Sequence, residues 1–401
     1  MSQREQQNYI PALTGVRALA AYLVFISHYE YAFDKSFPHA LQRFFLEFHI
    51  GVTIFFVLSG FLIAFRYYDN FHLTGEWFRQ YLKNRVARIY PMYFLITTAA
   101  FVAYGFTRDP SVVDGFPSAV GLFFMHITFV RGFFHQLVFT GVAQGWSLTV
   151  EECFYFSAPI IFFIIIKYRK YYLQILSLTG FGFLMVLLFR NVNWYGFFSD
   201  FTFMMLYTFF GRCFEFFVGI RLALMIRKNG LGRKNKLKVT YIGFFMIFFC
   251  VWLMSLLPIP PGWSAGLHHP LGIIINNYLL AISIAIFFYG LITETTVMRK
   301  ILATRFVELL GKSSYIFYLI HLGFMYLLIY KGVNWLNDKT FVLYDQWGVD
   351  WRSPFEYDWL NIIYAFALLN VVSVILFKFI EEPLNHFIRK SDFLVKAKPK
   401  L

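Results

Sequence analysis

The feature that most constrains this chain is a series of apolar runs, each close to 20 residues long. A helix rises 1.5 Å per residue, so about 20 apolar residues are needed to cross the hydrocarbon core of a bilayer. The chain has 401 residues, of which 59% are hydrophobic and only 14% are charged, and a soluble domain does not need so much apolar surface. We therefore predict an all-α, polytopic integral membrane protein.

About ten membrane-spanning helices are predicted from these runs, at approximately 11–33, 50–68, 89–106, 147–166, 172–190, 202–226, 239–257, 271–293, 314–331 and 359–380. A further apolar segment, 118–130, is too short to cross comfortably, and we predict that it is re-entrant or lies at the surface. We expect residues 1–390 to form a single transmembrane domain and residues 391–401 to form a basic cytoplasmic tail.

The basic residues test this arrangement. If the N-terminus is cytoplasmic, the segments on that side hold 23 Lys and Arg residues and the opposite loops hold eight. Cytoplasmic loops of membrane proteins are enriched in Lys and Arg. The distribution therefore predicts that both termini are cytoplasmic, and it explains the net charge of +14 without a nucleic-acid partner. The three cysteines lie in apolar runs without CxxC spacing, which predicts buried thiols and neither disulfides nor a metal site.

A guanidinium and an imidazole interrupt the first apolar run. Arg17 and His28 are eleven residues apart, so on a helix they share one face and lie about 16 Å apart along the axis. Arg17 could bind an anion such as phosphate, and His28 could act as a general base. Alternatively, Arg17 snorkels to the interface and His28 bonds a backbone carbonyl. The shared face favours a functional pair, because polar groups inside a span usually line a cavity or a pathway.

Two further motifs place charge beside predicted spans. Arg85 and Arg88, at i and i+3, either hold a phosphorylated cofactor or serve as topogenic and lipid-binding charges. Farther along, Thr149 and Glu152 have the spacing of a helix capping box. The neighbouring Glu151 projects elsewhere, and it is predicted either to orient His28 or to pair with an intramembrane arginine.

Inside the other spans, small and polar residues allow both structural and functional interpretations. The notch at 59–60 favours close helix packing, or it lets a ligand or the first helix approach the backbone. Arg212 and Glu215, at i and i+3, predict an internal ion pair. Ser314 and His321 are seven residues apart and share a face, and a structural role and a site role are equally open.

Two predicted outer loops differ in composition. Residues 258–270 form an uncharged loop in which His268 and His269 lack the acidic or cysteine partners of a metal site. Residues 332–358 and the position that follows carry four Trp and four Asp residues. This combination is typical of sugar binding or of an interfacial aromatic belt.

Taken in order, these motifs resemble the membrane-bound acyltransferase family three, which includes bacterial O-antigen and other cell-surface polysaccharide O-acetyltransferases. The resemblance runs from Ile10 to Pro383, with one departure, because Leu322 follows His321 where family members often carry proline nearby. Six motifs carry it: Arg17-x10-His28, Phe55 to Phe61 with Ser59-Gly60-Phe61, Arg85-x-x-Arg88 before Pro91, Trp146-Ser-Leu-x-x-Glu151, Ser314-Tyr-x-x-Tyr-x-x-His321 and Glu381-x-Pro383.

The resemblance implies an enzyme of the bacterial inner membrane that takes an acyl group, usually acetyl, from acyl-CoA on the cytoplasmic side. It implies an acceptor hydroxyl on a lipid-linked or polymerised glycan. The implied catalytic residues are His28, as general base or acyl carrier, with Glu151 and His321 in support. Those implied to hold the donor phosphates are Arg17, Arg85 and Arg88. A transporter with an intramembrane Arg, His and Glu pathway, or an N-acyltransferase acting on an amino sugar, remains an alternative.

Overall fold

The computed structural model describes residues 9–29, 38–230, 238–347, 358–391 and 394. Helices dominate this part of the chain, and its only β-type pairing is an isolated bridge between Phe134 and Phe197. The prediction of an all-α protein is confirmed. Most of the predicted basic tail, 391–401, lies outside the described residues.

The described residues form eighteen α-helices with short 3-10 or π turns between some of them. The helices are α1 Pro11–His28, α2 His39–Leu46, α3 Gly51–Tyr67, α4 Gly75–Thr107, α5 Pro110–Val113, α6 Ala119–Ile127, α7 Trp146–Tyr168, α8 Tyr171–Phe189, α9 Phe201–Tyr207, α10 Phe209–Asn229, α11 Val239–Leu256, α12 Pro270–Ile274, α13 Ala281–Thr293, α14 Val297–Leu302, α15 Arg305–Ile320, α16 Phe324–Trp347, α17 Asp358–Leu376 and α18 Glu382–Lys390.

Eight helical stretches in the described residues are long and apolar enough to span a membrane, which confirms a polytopic membrane protein. They are Pro11–His28, His39–Tyr67, Gly75–Thr107, Ala143–Tyr168, Tyr171–Phe189, Val239–Leu256, Pro270–Thr293 and Leu360–Lys390.

The other two predicted spans are broken in the structure. The predicted helix at 202–226 divides at Thr208, whose extended backbone separates α9 from α10. The predicted helix at 314–331 divides at 321–323, where Gly323 has a φ of 75°. A left-handed backbone conformation ends a helix and is readily adopted by glycine. Both breaks matter for the site, because they place polar groups in the interior of the bundle.

The segment predicted to be too short to cross forms α6, which has nine residues. At 1.5 Å per residue this helix is about 14 Å long, well short of the bilayer core. The loop that follows is organised around Arg131, which is fully buried and donates to the carbonyls of Leu137, Val138, Thr140 and Val142. This buried guanidinium fixes the path of the chain into α7.

The prediction of an outer loop at 332–358 is wrong for the first half of this segment. Residues 332–347 continue α16 as a helix, and residues 348–357 lie outside the described part of the chain. No proline interrupts 332–347, so nothing in this stretch forces the helix to end. Trp335 is exposed and Lys339, one turn later, lies over its ring. Sugar binding and an interfacial aromatic belt both stay predictions for this segment.

Helix α1 lies at the centre of the bundle and is held by backbone contact on two sides. A Cβ atom added to Gly311 on α15 would clash with the carbonyl oxygen of Thr14, and one added to Gly51 on α3 would clash with that of Ala20. Small residues let helix backbones approach closely in membrane proteins. Helix α3 meets α10 in the same way, because a Cβ on Gly60 would clash with the carbonyl oxygen of Phe216.

Candidate active site

Three cavities follow one another along α1. The basic cavity, of about 550 Å³, and the middle cavity, of about 100 Å³, share the side chains of Arg17, Arg85 and Arg88 as walls. The histidine cavity, of about 550 Å³, contains His28 and shares Tyr318 with the middle cavity. Arg17 and His28 therefore line opposite ends of a row of adjacent cavities, with Arg17 at one end and His28 at the other.

Positive charge dominates the basic cavity. Two carboxylates, Glu381 and Glu382, face a larger number of cationic groups in its wall. Six basic side chains line it: Arg17, Arg66, Arg85, Arg88, Lys312 and Arg389. An enclosed surface of one sign concentrates ligands of the other sign. The cavity is therefore built for an anion.

The three predicted anion-binding arginines meet at the boundary of the basic and middle cavities. Arg17 makes no hydrogen bond or ion pair among the described residues. Arg85 donates to the Tyr67 hydroxyl at 3.3 Å, and its Nε has no partner in the described part of the chain. Arg88 pairs with Glu381 at 2.6 Å. These cations face the interior, which favours ligand binding over a purely topogenic or lipid-binding role.

Glu151 lies in the middle cavity and not beside His28. Its carboxylate accepts hydrogen bonds from Ser59 at 2.6 Å and from Tyr155 at 3.2 Å. The cations that act on it are Arg17 and Arg85. Of the two predicted roles, electrostatic pairing with intramembrane arginines is supported, and direct orientation of His28 is not, because no described contact joins the two residues.

The prediction of a capping box at the start of α7 is wrong. A 3-10 turn at Ala143–Gly145 leads directly into the helix, so α7 begins at Trp146 with Gly145 as its N-cap. Thr149 is thereby placed inside the helix, where its hydroxyl donates to the Phe129 carbonyl at 2.8 Å. This bond ties α7 to the loop that Arg131 organises.

His28 and His321 form a pair of hydrogen-bonded imidazoles. His321 Nδ1 lies 2.7 Å from the Tyr318 carbonyl, so this nitrogen carries the proton and Nε2 carries the lone pair. His28 Nδ1 lies 2.9 Å from the Val24 carbonyl and 3.2 Å from His321 Nε2, so it donates to both acceptors. The predicted backbone bond of His28 is therefore present, together with a second imidazole that the chain brings in from 293 residues away.

This pattern decides which nitrogen of His28 is basic. Because Nδ1 carries the proton, Nε2 carries the lone pair of the neutral ring. The ring is exposed to the histidine cavity, whereas His321 is fully buried behind it. The arrangement supplies one accessible base whose orientation is fixed by a second histidine.

The predicted Arg212–Glu215 ion pair is confirmed, at 2.9 Å, beside the histidine cavity. Ser314 donates to the Gly311 carbonyl at 2.8 Å, which favours the structural interpretation for this serine. Among the described residues, no group of three or more His, Cys, Asp and Glu side chains could hold a metal ion. The three cysteines are free thiols.

Comparison with known families decides the class of this protein. The family described as an acyltransferase domain matches residues 10–378, which is nearly the whole chain. The chain belongs to this acyltransferase family. The resemblance inferred from the six motifs is thus confirmed at the level of the family.

Several relatives of this acyltransferase carry names that state related activities. Acyltransferase MdmB of Streptomyces mycarofaciens is 30% identical over 38% of this chain and 38% of its own length. Peptidoglycan O-acetyltransferase OatA of Listeria monocytogenes is 26% identical over 42% of this chain and 26% of its own length. Putative peptidoglycan O-acetyltransferase YrhL of Bacillus subtilis is 26% identical over 79% of this chain and 49% of its own length. The matched regions thus span less than half of these relatives. No solved structure matches the chain.

Sequence reasoning missed several residues that line the acyltransferase cavities. Gln144, His49 and Trp263 border the histidine cavity, although none belongs to a predicted motif. Arg389 borders the basic cavity from α18. The position of Gln144 two residues before the Trp146 motif was a usable signal. For the other three, nothing local distinguishes them from ordinary loop or terminal residues.

Proposed function

We propose that this acyltransferase moves an acyl group, in particular acetyl, from acyl-CoA to a hydroxyl of a cell-surface or lipid-linked glycan. The observation that carries the proposal is the series of cavities along α1. This series of cavities runs from an anion-binding end at Arg17 to a basic imidazole at His28. A donor with phosphates at one end and a reactive thioester at the other suits this length and polarity.

The residues of the basic cavity fit the phosphates of acyl-CoA. Arg17 is unpaired among the described residues, and Arg85 retains an Nε without a partner there. Guanidinium groups bind phosphate through charge-assisted, often bidentate hydrogen bonds. Arg17, Arg85 and Arg88 would hold the phosphates, and the acyl arm would extend through the middle cavity towards Tyr318. This fit supports acetyl-CoA as donor substrate and requires no metal.

The chemistry at the far end begins with His28. Its Nε2 removes the proton of the acceptor hydroxyl, and the oxygen forms an ester bond to the acyl carbon while the thioester C–S bond breaks. The CoA sulfur leaves and takes up the proton. His321 holds the His28 ring in place and supports the positive charge that develops on it. Positioning of the two substrates in adjoining cavities supplies the rest of the rate enhancement.

The sidedness follows from the charge distribution. Placing the basic cavity on the cytoplasmic side, with both termini, agrees with the 23 to eight distribution of Lys and Arg. In a protein of the bacterial inner membrane, the donor then enters the basic cavity from the cytoplasm. The histidine cavity faces the acceptor. The names of two relatives, a peptidoglycan O-acetyltransferase and a putative one, support a glycan acceptor.

The test compares His28→Gln with wild type in purified protein reconstituted in lipid nanodiscs. We expect kcat for acceptor-dependent thiol release from acetyl-CoA to fall at least about 100-fold, since general base catalysis contributes about 10²–10⁴. The dissociation constant for acetyl-CoA should stay within about twofold. His72→Gln is the matched control, because His72 is exposed in a loop and lines none of the three cavities.

Three outcomes would contradict the proposal. A correctly inserted His28→Gln protein with wild-type transfer would remove His28 from the mechanism. Absence of thiol release with any acceptor would favour a transporter, and a product that survives mild base would indicate an amide and hence N-acylation. An acyl group trapped on His28 without acceptor would identify it as a carrier, because a general base forms no such adduct.

A further inference from the structure

We infer that the histidine cavity is a binding site for an uncharged sugar unit, which Gln144 and His49 position by accepting hydrogen bonds from its hydroxyl groups. This inference rests on the proposed function and names the substrate class at its acceptor end. Besides helices such as α1 and α9, three connecting segments contribute to the cavity wall: the loop before α7, the turn after α2, and the loop between α11 and α12.

Gln144 lines this cavity and carries an unused hydrogen-bond acceptor. The side chain is only 4% exposed, and its Oε1 has no partner among the described residues. The amide nitrogen lies 3.5 Å from the Leu319 carbonyl, which fixes the direction of the amide group. A buried carbonyl oxygen without a donor costs free energy, so the position is explained if a ligand hydroxyl supplies the donor.

His49 also lines this cavity and carries a second unused hydrogen-bond acceptor. Its Nδ1 lies 2.8 Å from the Leu46 carbonyl and therefore carries the proton, which leaves the lone pair on Nε2. This Nε2 is buried and has no hydrogen-bond partner in the described part of the chain. The carboxylate of Glu47 lies 3.7 Å away, but it already accepts from the backbone N–H groups of Gly266 and Leu267.

The charge of the cavity wall favours an uncharged sugar over an acidic one. Arg212 is the one Lys or Arg among the described lining residues, and no described carboxylate lines the cavity. Its Nε is paired with Glu215, its Nη1 bonds the Leu206 carbonyl and its Nη2 bonds Thr53. Each guanidinium nitrogen therefore already has a protein partner, and the Glu215 carboxylate balances the charge of Arg212.

The rest of the wall suits the apolar face of a sugar ring. Trp146, Tyr207 and Trp263 contribute aromatic surface, and Trp263 is held by stacking on His268 with ring centroids 3.9 Å apart. Small-molecule sites are mostly apolar, with a few polar groups that fix orientation. Because His28 lies in the same cavity, a sugar held here presents a hydroxyl to the basic Nε2.

The experiment replaces the chromosomal copy with Gln144→Met, which keeps the side-chain length and removes the amide oxygen. We measure acyl groups transferred to the native surface glycan per copy of the protein, and locate the acylated residue by mass spectrometry. Transfer should fall about 10-fold, equivalent to about 1.4 kcal/mol, while the dissociation constant of the purified variant for acetyl-CoA stays unchanged. His49→Phe should act in the same direction.

Gln174→Met is the matched control, because Gln174 is also buried but lies on α8, where it donates to the Lys170 carbonyl. Wild-type transfer by Gln144→Met, an equal loss in the control, or an acyl group located on an acidic sugar would each overturn the inference. So would a loss of acetyl-CoA binding in Gln144→Met. If the wild-type protein itself neither binds acetyl-CoA nor transfers an acyl group, the proposed function fails as well, so the two failures are distinguishable.

Discussion

Arg88 combines a structural contact with a proposed contact to the donor. Its guanidinium pairs with Glu381, whose side chain is 2% exposed, and it also lines the basic and middle cavities. Glu381 belongs to the last of the six motifs, so the ion pair joins α4 to the π turn before α18. Loss of activity in a single Arg88 variant would therefore have two causes, the broken ion pair and the lost contact to the donor. Replacing both Arg88 and Glu381 by uncharged residues separates them.

We predict that Arg88→Met destabilises the protein by about 1–3 kcal/mol, because it leaves the Glu381 carboxylate buried without a partner. The double variant Arg88→Met/Glu381→Gln should recover most of that stability. It should still bind acetyl-CoA about 10-fold more weakly, because one charge-assisted phosphate contact is absent. Thermal unfolding and titration calorimetry measure the two effects. Wild-type affinity in the double variant would show that Arg88 is structural only.

His268 makes the loop over the histidine cavity sensitive to acid. Its Nε2 accepts from the Tyr207 hydroxyl at 3.0 Å, and burial lowers its pKa to about 4. An unfolded histidine has a pKa near 6.5, so between about pH 6.5 and 4 the unfolded chain takes up a proton that the folded protein does not. Stability therefore decreases as the pH falls through this range.

We predict that His268→Gln reduces the pH dependence of unfolding. The unfolding temperature of the wild-type protein should fall between pH 7 and pH 4.5, and the decrease should be smaller in the variant. Scanning fluorimetry in detergent over this range measures the difference, which isolates His268 from the other titrating groups. Parallel curves for the two proteins would contradict the assignment.

At the scale of the elements, the contact between α3 and α10 sets the geometry of the middle cavity. Gly60 and Gly219 face the opposing backbone directly, since an added Cβ would clash with the carbonyl oxygens of Phe216 and Val57 respectively. Ser59, next to Gly60, is the residue that holds Glu151. The close approach of the two backbones supports the packing interpretation of the notch, and the approach of a ligand stays a prediction.

We predict that Gly60→Ala costs about 1–3 kcal/mol of stability, because the added methyl group forces the two helices apart. Transfer activity should fall with it, since Ser59 moves away from Glu151. Gly180→Ala on α8 is the control, because its Cβ would meet no atom within 4 Å. Thermal unfolding and thiol release are the measurements, and equal stability of the two variants would contradict the close packing.

At the scale of the whole molecule, each of the two larger cavities along α1 has an exposed residue in its wall. Ser264 is exposed at the histidine cavity, and His386 is exposed at the basic cavity. Under the proposed orientation the histidine cavity faces outwards and the basic cavity faces the cytoplasm. The native thiols Cys213 and Cys250 are buried and Cys153 is partly buried, so an introduced cysteine reports its own accessibility.

We predict that a membrane-impermeant maleimide labels Ser264→Cys in intact cells and labels His386→Cys only after permeabilisation. The wild-type protein provides the background from the native thiols. Labelling is measured by a gel shift with a polyethylene-glycol maleimide. The reverse pattern would place the basic cavity outside and contradict entry of the donor from the cytoplasm.

What the sequence determined by itself is the part of this protein that depends on local composition and spacing. Apolar runs near 20 residues require helices in a bilayer, and charge counts along the chain predict their orientation. The Arg212–Glu215 pair was predictable because its members are one helical turn apart. The order of the six motifs was sufficient to indicate the family, because each motif is a short local pattern.

Only the tertiary structure decided how these motifs meet. His28 lies at the end of α1, and its partner His321 comes from a break between two helices, 293 residues later. Glu151 is paired with Ser59 and not with His28, and Gln144 and His49 enter the site from loops without any motif. Such contacts depend on how helices pack and where they break. These are long-range properties that no local periodicity encodes.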